Sequence, residues 1–187
     1  MSSNNPIKRI GMLIVFILCA LITTFNGILG VRTKDILAII VSVVSALALI
    51  GFCLLAAFRN DNKDILVTLA LAAYAGINAA WTFIKACEAI AHGYFSINYI
   101  ISLAFYAILL LFAIKEVLPI PGKEILSTPI AQYVAIACIW LFPIIQMFIL
   151  PLFNAQGGIV SEADSGMLIT LIEWLLQSVV FTWFIKN

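Results

Sequence analysis

Thr170, Glu173 and Gln177 follow one another at spacings of three and four, so one helical face carries a hydroxyl, a carboxylate and an amide. Trp174 stands beside them. An ionised carboxylate in so apolar a stretch is costly, and it must be paired, solvated in a cavity or protonated. Such a group can hold a solute, or act as acid or base if a second group lies within reach. A longer stripe joins Tyr74, Asn78, Trp81, Lys85, Glu88 and His92, spaced alternately four and three. Gln146 lies between Pro143 and Pro151, where a bend would free backbone carbonyls. Glu173, Gln177, Asn78, Lys85 and Gln146 are the candidate ligand-binding residues. Each also has a plainer reading. Lys85 and Glu88 suit an interfacial helix end, where a solvated ion pair contributes little. Asn78 suits a bond between helices, and Glu173 suits a packing acid held by its neighbours.

The elements that must position these residues follow from composition. The 187 residues are 64% hydrophobic and 10% charged, too little charge to cover a soluble surface. Mean hydropathy is +1.16, and apolar runs of about 20 residues are long enough to cross a bilayer core. The expected fold is all-α, a single polytopic transmembrane bundle over 1–187 with six spans near 10–30, 35–58, 64–91, 96–114, 129–153 and 166–186. The stripe from Tyr74 to His92 falls on the third span. Its other side carries Ala72, Ala75, Gly76, Ala79 and Ala80, small enough to let another helix approach closely. The basic N-terminus before the first run resembles a signal peptide. The run from Ile10 to Leu29 is long for one and "NGILG" is a poor cleavage site, so it reads as a retained span.

Orientation follows from Lys and Arg. With the N-terminus inside, Lys8, Arg9, Arg59, Lys63, Lys115, Lys123 and Lys186 fall on inner segments, against Arg32, Lys34 and Lys85 on outer ones. The expectation is N-in/C-in, in the plasma or inner membrane. Four Lys-acid pairs recur: Lys34-Asp35, Lys63-Asp64, Lys115-Glu116 and Lys123-Glu124. An acid suits a helix N-terminus and a lysine reaches for headgroups, so the pairs read chiefly as helix punctuation. An internal duplication or a binding motif are the other readings. Thr128 and Pro129 are a good N-cap and first helical residue.

Several chemistries lack their residues. The net charge of +1 offers no basic stripe for nucleic acid. One histidine, His92, cannot supply paired haem ligands. There is no His-Glu-x-x-His and no Gly-x-Ser-x-Gly. Cys19, Cys53, Cys87 and Cys138 share no metal-ligand spacing and read as isolated thiols. Neither a metal nor another cofactor is expected, and no catalytic set is named. Under the N-in arrangement the polar residues Asn26, Asn78, Asn98, Ser102, Gln146, Glu173 and Gln177 fall in the outer half or near the middle, while the inner halves are almost wholly apolar.

In length and number of spans the chain resembles the substrate-binding subunits of energy-coupling-factor vitamin transporters. Their Ala-x-x-x-Ala contact motif is missing from "IGMLIVFILCALITTFNGILG", and no residue role is carried over. The leading expectation is a non-enzymatic membrane protein that binds or passes a small solute through an outward-facing polar pocket. The rival is an accessory or structural subunit of a larger membrane complex, whose polar residues serve only packing. An intramembrane enzyme with Glu173 as acid or base is the third reading. The expected partners are the lipid bilayer, a small solute and other membrane proteins.

Overall fold

The computed structural model describes residues 36–58, 65–93, 96–149 and 165–186, with Gly11, Leu13, Ile14, Ile17, Leu18 and Leu21 of the first apolar run. Within them the chain is helical: α1 (Ile36–Phe58), α2 (Ile65–Ala91), α3 (Ile97–Val117), the single turn α4 (Lys123–Leu126), α5 (Pro129–Ile144) and α6 (Ser165–Lys186). A π-helical turn, Ile145–Ile149, continues α5. Among the described residues, three segments are long and apolar enough to cross a membrane: Ile36–Ala56, Ile65–Ala91 and Ile97–Val117. α5 is apolar but shorter. Most of the expected span at 10–30 lies outside the described residues, as do Lys34-Asp35, Lys63-Asp64, Pro151 and the glycines at 157 and 158.

Local chemistry sets the helix ends. Ser96 caps α3 in an extended conformation, its hydroxyl accepting from the Asn98 amide at 3.3 Å. α3 stops at Leu118, also extended, because the ring of Pro119 disfavours a helical residue before it. Gly122 takes φ 85°, a left-handed turn that admits glycine without strain, and the chain re-enters helix at Lys123. Thr128 then caps α5, with Oγ1 accepting from the Ala131 amide at 3.3 Å and Pro129 at the first helical position.

α2 packs most extensively on α3 and next on α1, while α5 packs on α6 and touches α3. The small face of α2 makes the first contact close. Ala75 is fully buried, and a methyl added at Gly76 would stand 3.9 Å from Leu110 Cδ1. Side chains of α6 reach all of its neighbours. Phe181 meets Tyr74 of α2 and Phe105 of α3 with ring centroids 5.9 and 6.0 Å apart, and Phe184 meets Phe52 of α1 at 5.9 Å. Phe105 also meets Trp174 at 4.9 Å. These contacts form one core with Leu49, Leu71, Leu109 and Ile139. In a lipid solvent such packing, and not water expulsion, holds helices together. Each ring pair adds about 0.5–1.5 kcal/mol beyond its buried area.

Pro143 marks where α5 departs from regularity. It has no amide hydrogen, so the carbonyl of Ile139 loses its helical donor. Ser178 of α6 stands in its place, with Oγ 3.3 Å from Ile139 O and 2.8 Å from Trp174 O. The single hydroxyl proton is shared between the two acceptors. Two residues after Pro143 the π turn begins, and it contains Gln146.

Candidate functional site

The candidate residues are placed by different helices, and the structure does not gather them into one group. Asn78, in the middle of α2, points at α1. Its Nδ2 donates to Ser45 Oγ at 2.7 Å and to Tyr74 O at 2.8 Å. Gln146, in the π turn, points at α3. Its Nε2 donates to Ser102 Oγ at 2.8 Å and to Asn98 O at 3.0 Å. Both amide NH2 groups thus have both hydrogens engaged, three of the four across helix contacts and one, Asn78 to Tyr74 O, within α2.

Lys85 lies further along α2. Its ammonium sits 2.8 Å from Glu88 Oε2 and 4.5 Å from the centroid of the Trp81 ring, one turn back. The ion-pair side chains are 31% and 52% exposed, which places the pair at an open helix end and not in a cavity. Cation–π contact with Trp81 fixes the lysine stem along the helix. His92 is exposed at the same end. Gln177 is 3% exposed within α6. Glu173 lies one turn before it in the same helix, and its side chain is outside the described residues.

One polar atom stands out near Gln146. Asn98 Oδ1 is buried and has no hydrogen-bond partner among the described residues. Buried acceptors are nearly always satisfied, so this oxygen beside the Gln146–Ser102 pair is a place where a donor would be welcome.

A second polar concentration lies at the opposite end of the bundle, where α3 and α6 finish and α5 starts. A cavity of about 80 Å³ there is bounded by Lys115, Glu116, Gln132 and Lys186 over a floor of Phe112 and Phe184. Lys115 is 5% exposed. Its Nζ stands 4.6 Å above the Phe112 ring, 3.4 Å from Leu126 O and 3.6 Å from Glu116 Oε1. By sequence alone Lys115-Glu116 closes a span and Lys186 enters only the orientation count. The signal was not local: these lysines are brought together from helices far apart in the chain.

The chain matches no known family model, no curated protein and no solved structure.

Proposed function

We propose that this chain is a multi-pass membrane protein of six spans, N-in/C-in, serving without catalysis as an accessory or structural subunit of a larger membrane assembly. One observation carries the reading: Asn78 gives one amide hydrogen to Ser45 of α1 and the other to the Tyr74 carbonyl of its own helix, and Gln146 gives both of its amide hydrogens to α3, at Ser102 and Asn98. Polar residues used in this way hold helices in register and do not face a solute. The up-and-down course of the helices supports six crossings. Phe105 meets Trp174 while Lys115 and Lys186 share one cavity, so α3 runs parallel to α6. Gln132 lies beside Lys186 and Ile139 beside Ser178, so α5 runs antiparallel to it. Lys115, Lys123 and Lys186 then fall at one end, which the charge rule places on the cytoplasmic side.

A second reading, solute binding or transport through an outward-facing pocket, keeps specific support from Asn98 Oδ1 and from buried Gln177 one turn after Glu173. Native mass spectrometry of the gently solubilised full chain separates the two. The accessory reading expects other membrane chains in fixed stoichiometry, unchanged by Glu173→Gln. A lone chain carrying a small molecule that is lost in Glu173→Gln would overturn it in favour of the pocket.

A further inference from the structure

We infer that Asn98 and Ser102, set in place by Gln146, bind a hydroxyl group where the start of α3 meets the π turn after α5. Asn98 Oδ1 is buried and accepts no hydrogen bond among the described residues. Leaving such an oxygen without a donor is costly, and nearly all buried polar atoms have a partner, from the chain or from ordered water. The π turn gives this place its form. Pro143 interrupts α5, and the turn Ile145–Ile149 brings Gln146 onto α3. Such turns within helices are frequent at functional sites.

The neighbouring bonds define the donor. Gln146 gives one amide hydrogen to Asn98 O at 3.0 Å and the other to Ser102 Oγ at 2.8 Å. Asn98 O also takes the helical amide of Ser102, four residues on, so both of its lone pairs are engaged. Ser102 Oγ therefore accepts from Gln146 and keeps a proton for which its usual acceptor, the carbonyl one turn back, has no room. One turn of α3 thus presents an oxygen that needs a donor and a hydroxyl that needs an acceptor. Side chains four apart on a helix stand about 5–6 Å apart at Cβ. One oxygen atom spans such a gap with two hydrogen bonds of about 2.8 Å. A hydroxyl both donates and accepts from a single atom, whereas an ammonium accepts nothing and a carboxylate donates nothing. Water or a small hydroxylated solute can supply it, with the same chemistry, and the site does not depend on the accessory role proposed above.

The test uses the full chain in deuterated detergent with isotope-labelled glutamine, the Gln146 signal being assigned by its loss in Gln146→Leu. Nuclear Overhauser transfer from the Gln146 side-chain amide protons to the water resonance is expected in the parent chain. Asn98→Leu is expected to abolish it. Ser102→Ala is expected only to weaken it, because Asn98 Oδ1 still holds the hydroxyl. These outcomes separate a bound hydroxyl from the Ser102 proton, which exchanges with water and gives the same signal. Transfer that survives Asn98→Leu, or vanishes in Ser102→Ala, comes from Ser102 itself and would overturn the inference, as would no transfer in the parent chain. Each variant decides alone, so one that misfolds leaves the other to test the site. Added glycerol identifies the source. Transfer to glycerol C–H protons in place of water, lost in Asn98→Leu, supports the site and assigns it to a solute hydroxyl. Transfer to water that glycerol does not change supports the site and assigns it to water.

Discussion

Asn78 Nδ2 and Ser45 Oγ lie 2.7 Å apart across the contact of α1 and α2, joining residues 33 positions apart in the chain. Ser45 is 4% exposed, so the bond is shielded from competing donors. Hydrogen bonds between membrane helices are worth about 0.6 kcal/mol on average and up to about 1.7. The Asn78→Ala and Ser45→Ala cycle is expected to give a coupling energy in that range. Reversible unfolding in mixed micelles measures it. A coupling of zero would mean that Asn78 is free to serve a ligand.

Phe181 is expected to be a highly sensitive aromatic position. It is fully buried and touches both Tyr74 and Phe105. Phe181→Ala removes two ring contacts and opens a cavity, a loss of about 3–5 kcal/mol on the scale of buried aromatic truncations. Phe181→Leu, which keeps most of the volume, is expected to lose less than half as much. The same unfolding titration checks both. Equal losses would show that ring geometry, and not filled volume, sets the stability.

The described helices were legible because their apolar runs are long, and the starts of α3 and α5 carry caps that act locally. Thr128–Pro129 and the small face around Gly76 are of this kind, since their effect depends on residues three or four positions away. The partners of the polar side chains were not legible. Asn78 could be placed on a face of α2, but its choice of Ser45 depends on how α1 rotates against that face. The chamber at Lys115 was invisible for the same reason. Its two lysines are made neighbours by the parallel course of α3 and α6, which no local spacing encodes. Pro143 and Pro151 around Gln146 suggest a bend by sequence, while the π turn that carries Gln146 to Ser102 needed the packed structure to appear.

The Lys85–Glu88 pair is expected to contribute little. At 31% and 52% side-chain exposure its attraction is screened by solvent. Glu88→Gln should change stability by less than about 0.5 kcal/mol, with that small effect vanishing in high salt. Trp81→Leu, which removes the ring beneath Lys85, is expected to free the lysine stem without unfolding α2. Amine-labelling rates at Lys85 measure this, and should rise in Trp81→Leu. An unchanged rate would show that the ring does not hold the ammonium.

Pro143→Ala tests whether the proline creates the geometry of Gln146. The alanine restores an amide opposite Ile139 O, the carbonyl now approached by Ser178 Oγ at 3.3 Å. A regular α5 then becomes possible, and each residue after 143 rotates relative to α3. Gln146 Nε2 would move off Ser102 Oγ, from which it stands 2.8 Å. The expected outcome is a Gln146–Ser102 coupling of about 0.6 kcal/mol in the parent chain and near zero in the Pro143→Ala background. Gain of an intrahelical bond would partly offset that loss, so total stability is expected to change less than the coupling does. If the coupling survives Pro143→Ala, packing of α3 against α5 imposes the π turn and the proline only accommodates it.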